Sequence, residues 1–270
     1  MPTIAISNIA WQIDEDAKIF EVLASLNIHN LEISPFRESA DPFIISQEHA
    51  RSFQNQLNFY GIQVIAVQAL LFRHPELVIF KKKVTREKTM EHLVRVINFA
   101  HYVGAKTVIF GSPKNKCRGE MAYESALDLA VDFFGRLSRV SEEKGITFCL
   151  EPTPETFGAD FIRNTKEAME VIQAINSNSL RLNLDLGSLM LNEENAKEII
   201  RAHSRSIGHV HVSEPNLQII SDDFVFHQNI ARWLQEFSYE GAISVEMLPQ
   251  PLQNRECIRK TLSFIKKIYT

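Results

Sequence analysis

Two rhythms of apolar and polar positions alternate along the chain. Short runs of β-branched and aliphatic residues at about 3–7, 29–34, 63–69, 106–111, 146–151, 180–185, 207–212 and 242–247 predict eight strands. Between them the apolar positions shift to a three-and-four spacing. Met90, Leu93, Val94, Ile97 and Ala100 follow it, as do Ala126, Leu129, Ala130, Phe133, Phe134, Leu137 and Val140, which is the period of an amphipathic helix. Gly61, Gly104, Gly145 and Gly241 each fall just after such a pattern and just before a strand, where a left-handed helix terminator favours glycine. A last helix is predicted at about 253–268. Eight βα units with no Pro/Ser-rich linker predict one α/β domain over residues 1–270, a single (β/α)8 TIM barrel with its site at the C-terminal rim of the strands. An open doubly wound sheet would carry a glycine-rich loop after its first strand. The turn there reads Ser7-Asn8-Ile9-Ala10-Trp11, without glycine.

Composition removes several function classes. With 45% hydrophobic and 23% charged residues the chain is neither disordered nor low-complexity. A net charge of −4, from 29 Lys+Arg against 33 Asp+Glu, offers no footprint for nucleic acid or an anionic membrane. The one basic run, Lys81-Lys82-Lys83, reads as a solvated face. Cys117, Cys149 and Cys257 form no Cys-x-x-Cys pair, which argues against a disulfide framework and against zinc thiolates. The start Met1-Pro2-Thr3-Ile4-Ala5-Ile6 has no basic leader region, and no apolar run approaches the length of a membrane span. The expectation is a reduced, cytoplasmic protein.

Barrel strands place apolar residues outward against the helices and the alternate residues inward. Strand five then turns Ile146, Phe148 and Leu150 outward and Thr147, Cys149 and Glu151 inward. Strand six turns Arg181, Asn183 and Asp185 inward; strand seven puts His209 and His211 on one face; strand eight alternates Ile243, Val245 and Met247 against Ser244 and Glu246. Strand two adds Asn30 and Glu32 in the inward phase. Inward charges are costly unless paired or metal-bound. Glu151, Asp185, His211 and Glu246 at the rim therefore predict a divalent cation site, with oxygen and nitrogen donors that suit Mn²⁺ first and admit Mg²⁺, Co²⁺ or Zn²⁺. Structural roles stand beside this reading. Asp185 is a candidate helix cap, with Ser188 the better-placed one, and Glu151 and Glu246 are candidates for ion pairs with Arg181.

At these residues the chain resembles the xylose isomerase-like barrel superfamily of sugar and sugar-phosphate isomerases and epimerases, inosose dehydratase, hydroxypyruvate isomerase and endonuclease IV. The carriers are Leu150-Glu151-Pro152, Asp185-Leu186-Gly187, His209-Val210-His211 with Ser213-Glu214-Pro215, and Ser244-Val245-Glu246. The resemblance implies one divalent metal on Glu151, Asp185, His211 and Glu246, with Glu151 and Glu246 also the acid/base pair on opposite faces of a sugar or sugar phosphate. It further implies proton transfer through an enediolate, and a homodimer or homotetramer. A lyase acting on a keto-cyclitol or keto-sugar is the alternative on the same residues. An abasic-site endonuclease and a non-catalytic sugar-binding barrel stand behind it. Ser188 occupies a position where the family often has histidine, and Glu214-Pro215-Asn216-Leu217 lacks the arginine of many ketose epimerases. Both departures count against a free-ketose 3-epimerase.

The candidates for substrate contact follow from loops and rim. Trp11 stands at the mouth after strand one, either as a stacking platform for a sugar ring or buried beneath the first helix. Glu32, Ser188, His209 and Asn216 sit on or beside the inward rim, and Glu155 in the loop after Glu151. The long third connection, Leu70 to Phe80, reads as a lid carrying Arg73 and His74. Lys114, with Lys116 and Arg118 in the turn after strand four, reads either as an exposed loop with solubilising charge or as a holder for a phosphate or carboxylate group.

Overall fold

The computed structural model describes residues 2–37, 39–220 and 224–270. Its eight strands are all parallel and close into a barrel in chain order. They are β1 (Thr3–Ser7), β2 (Asn30–Ile33), β3 (Gln63–Val67), β4 (Thr107–Phe110), β5 (Thr147–Leu150), β6 (Leu180–Asp185), β7 (Ile207–Val212) and β8 (Ala242–Val245). The helices are α1 (Asp16–Ser25), α2 (Gln47–Phe59), α3 (Lys83–Tyr102), α4 (Tyr123–Glu143), α5 (Thr165–Ile175), α6 (Leu186–Leu191), α7 (Ala196–His203), α8 (Phe224–Glu236) and α9 (Asn254–Tyr269). Among the described residues no helix is long and apolar enough to cross a membrane.

The predicted alternation is the packing that forms. Phe148, Leu150, Leu182, Leu184, Ile243 and Val245 join the layer between strands and helices, whereas Ala66, Ile109 and Cys149 form a small separate cluster. Each large apolar side chain fully removed from water contributes about 1.5–3 kcal/mol. That layer drives closure and leaves the inward positions free for chemistry. Parallel registry then levels the strand ends: Asp185 pairs with His211, and His211 with Ser244. Two register shifts interrupt the ladders, between Leu31 and Glu32 on β2 and between Leu182 and Asn183 on β6. The second skips Gly208 and falls beside His209. Bulges re-aim side chains near barrel rims, and these two flank residues of the site.

Three expectations need correction. Gly61, Gly104 and Gly145 do take positive φ, but Gly241 does not. After α8 the left-handed residue is Ser238, and Gly241 is required because a Cβ there would strike the Tyr239 hydroxyl. The third connection is packed, not a lid: Leu70, Leu71, Leu77, Val78, Ile79 and Phe80 are buried. Asn115 fastens it by donating to the carbonyls of His74 and Leu77 and accepting from the Ile79 amide. Finally, Asp185 rather than Ser188 caps α6: its Oδ1 accepts the Ser188 amide at 2.6 Å.

Candidate metal and sugar site

The ends of β5, β6, β7 and β8 bring Glu151, Asp185, His211 and Glu246 together, each offering a ligand atom within 4.8 Å of the others. His211 is the centre. Its Nδ1 lies 3.2 Å from Glu246, 3.6 Å from Glu151 and 3.9 Å from Asp185, and the Asn183 amide sits 3.1 Å from the same nitrogen. Its Nε2 faces the opposite way, 3.2 Å from Glu32 Oε2. Asp185 is held at both oxygens, by the Ser188 amide and by the Ser213 hydroxyl at 2.5 Å. Capping and convergence on His211 are therefore properties of one carboxylate, and the two readings of Asp185 do not compete.

Glu32, expected at the rim as a substrate contact, is buried beneath it. It has no exposure, and its oxygens lie 2.9 Å from His209 Nε2 and 3.1 Å from His211 Nε2. His209 is equally buried. Glu32 faces His211 Nε2, and the His209 ring packs edge-on against the His211 ring. Burial acts to raise the Glu32 pKa, but His211 and His209 outweigh it and hold the carboxyl well below the usual range. For His211 burial acts to lower the pKa, but Glu32 and Glu246 oppose it and hold the imidazole well above its usual value. Asp185 is raised by burial and next by the Glu151 charge.

These residues fit a divalent cation. Three carboxylates surround one imidazole nitrogen, and the other nitrogen is directed at a buried carboxylate. That arrangement fixes ring orientation and tautomer for a metal-ligating histidine. Without a metal the same field draws a proton onto His211, so the site calls for positive charge by its own electrostatics.

Glu246 opens onto a cavity of about 400 Å³ whose walls include Trp11, Gln12, Ile13, Phe72, Leu217 and Leu248, with Ser34, Arg37 and Gln68 as further polar members. Arg37 is committed within this wall, donating to both oxygens of Asp16 and to the Asn8 carbonyl. Trp11 is buried, and its indole N–H donates to Asp16 at 2.7 Å. It is thus fixed as a wall element. A profile of the xylose isomerase-like TIM barrel family matches residues 20–268. The chain belongs to that family.

Similarity to individual family members is distant. The D-psicose 3-epimerase of Ruminiclostridium cellulolyticum is 23% identical over 117 residues, 43% of this chain and 40% of that protein. The inosose dehydratase of Clostridium beijerinckii is 23% identical over 197 residues, 61% of this chain and 65% of that protein. The matched stretches thus span less than two thirds of either relative. Among solved structures, the 3-keto-D-glucoside 4-epimerase of E. coli superposes with a TM-score of 0.80 at 14% identity, covering 99% of this chain and 100% of that one. An L-ribulose 3-epimerase gives 0.81 at 16% identity, covering 100% and 95%. At these identities the likeness is one of fold.

The other family-site expectations fare unevenly. Arg73 does not reach toward Glu246: it takes positive φ and donates to the carbonyls of Phe36 and Arg37. With Lys114 it lines an adjoining cavity of about 310 Å³ that meets the first at Ala69 and Phe72. The three cations after β4 do not converge. Lys114 is exposed, Arg118 donates to the Met121 carbonyl, and Lys116 is wholly buried with Nζ 2.7 Å from the Glu151 carbonyl. Burial brings the Lys116 pKa down to about 7, against the pull of Glu151. Glu155 stands mostly in solvent beside Arg163, and Asn216 is exposed with positive φ. Ser188 is buried, with its amide on Asp185. Arg181 pairs with neither glutamate, because its guanidinium donates to the carbonyls of Asn178 and Arg205. Two residues stand against Glu151 in ways the sequence did not show: Lys116, read there only as one cation of an anion-holding turn, and Gly111, where a Cβ would lie 2.6 Å from Glu151 Oε2.

Proposed function

We propose that this protein is a divalent-metal-dependent isomerase or epimerase of a sugar, with Glu151 and Glu246 as its acid/base pair. The convergence of Glu151, Asp185, Glu246 and His211 Nδ1 within 4.8 Å carries the reading. A divalent cation held there would polarise a substrate carbonyl and its neighbouring hydroxyl, making the intervening C–H acidic. Asp185 and His211 are the fixed members, locked by Ser188, Ser213 and Glu32. Glu151 and Glu246 arrive from strands on either side of that pair, and Glu246 borders the larger cavity. A carboxylate that shares one oxygen with a cation keeps the second as a base. One glutamate removes the proton from the carbon beside the carbonyl. The other returns a proton to the opposite face for epimerisation, or to the neighbouring carbon for aldose–ketose isomerisation.

The mixed wall of the cavity suits an unphosphorylated sugar with an apolar face: Gln12, Gln68 and Ser34 can bond hydroxyls, while Ile13, Phe72 and Leu248 cover carbon. A phosphorylated substrate is the second reading, and it rests on the adjoining cavity that Arg73 and Lys114 share. The similarity to inosose dehydratases keeps a lyase as the competing chemistry.

The test is metal content and solvent-deuterium uptake together. Wild type loaded with Mn²⁺ and desalted should retain near-stoichiometric metal. It should also place deuterium from D₂O on the carbon beside the carbonyl of some member of a ketose and ketose-phosphate panel. Failure to retain Mn²⁺, Co²⁺ or Zn²⁺ overturns the metal site. Loss of water from the substrate in place of proton return assigns the lyase.

A further inference from the structure

Lysine is among the side chains least often buried whole, yet Lys116 has no exposure and stands among the largest fully buried side chains. Its ammonium donates to the backbone carbonyl of Glu151 at 2.7 Å. The reason lies in how β4 ends. In a parallel ladder the N–H and C=O of one residue face the same neighbouring strand. The Glu151 amide bonds the Phe110 carbonyl of β4 at 3.0 Å, so the Glu151 carbonyl would next take the Ser112 amide. Ser112 instead turns to φ 38° and the chain leaves the sheet.

The turn that brings Lys116 to this carbonyl is pinned on both sides. Asn115 is tied to His74, Leu77 and Ile79, and the amides of Arg118 and Gly119 donate to the two oxygens of Asp160 at 2.7 and 2.9 Å. The pinned turn thus delivers a single ammonium to the residue that follows β5, the one whose side chain joins the cluster.

We propose that Lys116 is a positioning residue: its ammonium replaces the missing ladder donor and fixes the Glu151 backbone, and with it the depth and direction of the Glu151 carboxylate. The importance of Glu151 rests on the function proposed above, but the positioning itself is readable without turnover. The experiment is amide hydrogen exchange by NMR on metal-free wild type, Lys116→Met and, as a control on the same turn, Lys114→Met. In Lys116→Met the Glu151 amide should exchange at least about tenfold faster, the size expected when one buried hydrogen bond is lost. Phe148 and the β6 amides should stay within about threefold of wild type, as should every amide in Lys114→Met.

On any sugar that wild type turns over, kcat of Lys116→Met should fall about tenfold or more, with KM within about threefold. Lys116→Arg, which keeps the donor and the charge, should recover part of both losses. Unchanged Glu151 protection, or faster exchange spread evenly over the barrel, overturns the proposal. Should Lys116→Met not fold, Asn115→Ala loosens the same turn and should show the same local signature more weakly. A folded Asn115→Ala with wild-type protection at Glu151 also overturns it. If no sugar is turned over, the function fails while the exchange result still decides the role of Lys116.

Discussion

Two ionisable clusters share His211 and differ in balance. Below the ring, Glu32 faces two imidazoles in a place without exposure, and its charge is answered within the protein. Above the ring, Glu151, Asp185 and Glu246 face a single imidazole nitrogen, and the set borders an open cavity. Removing charge from water is costly in both places. The lower cluster offsets that cost with its own partners and therefore reads as architecture. In the upper one three carboxylates face one imidazole nitrogen, an arrangement that could hold a cation from outside. The same residue types, one imidazole apart, thus sit closed off from solvent in one case and at the edge of a cavity in the other.

The largest expected effect comes from the upper cluster. Glu246→Gln keeps the shape of the wall but deletes a base and a ligand. It should lower turnover about 10²–10⁴-fold and weaken Mn²⁺ retention, measured by deuterium uptake and by elemental mass spectrometry. Normal turnover in this variant would break the contrast. The lower cluster should give a smaller, different result. Glu32→Gln leaves the upper ligands in place but loosens the orientation and tautomer of His211, and Mn²⁺ affinity by calorimetry should fall about 10–100-fold. Unchanged affinity would make Glu32 a packing residue only.

Much of the upper cluster was legible in the sequence because two simple rules reach it. The two-residue alternation in LNLD and HVHV tells inside from outside, and barrel registry levels the strand ends. The lower cluster was legible as inward but not as support. Glu32 meets His211 across 179 positions of sequence, after register shifts on β2 and beside β7 that no local pattern announces. Lys116 was hidden for a related reason. In the run PKNKCRG every cation looks equally solvated, and only the folded turn sends Lys114 outward and Lys116 under Glu151. The contacts of Arg73 depend on a positive-φ turn and remote carbonyls, which charge alone does not reveal.

Gly111 offers a finer cut between fold and site. A Cβ there would lie 2.6 Å from Glu151 Oε2 and 3.3 Å from its carboxyl carbon. The obstacle is the free end of a flexible side chain, so Gly111→Ala should fold with its melting temperature within a few degrees of wild type. The carboxylate, though, must swing out of the cluster. A displacement of about 1 Å can cost roughly 10²-fold in rate, so activity should drop while circular dichroism stays the same. If activity survives, Glu151 does not need its observed direction, and the upper cluster is looser than the contacts to His211 imply.

The smallest effect uses a histidine outside both clusters. His92 packs against His74 and Phe36, with Nε2 3.0 Å from the Leu70 carbonyl. Burial brings its pKa down from 6.5 to about 4, and His74 adds to the shift against the raising effect of the Leu70 carbonyl. The unfolded chain therefore binds a proton first as pH falls. His92 contributes stability that is fully present above pH 6.5 and lost progressively as pH falls through about 4. His92 is only half-buried, so the slope should be modest, about 1–2 kcal/mol over the window. Urea melts of EDTA-treated protein at pH 7, 6, 5 and 4 should show this loss in wild type and a shallower one in His92→Gln. His211 acts with the opposite sign, because its raised pKa contributes stability below pH 6.5 that is lost as pH rises. An acid-side slope that survives in His92→Gln would come from a group such as Glu32, whose carboxyl is held well below the usual range, whereas Asp185, with a raised pKa, has the opposite sign.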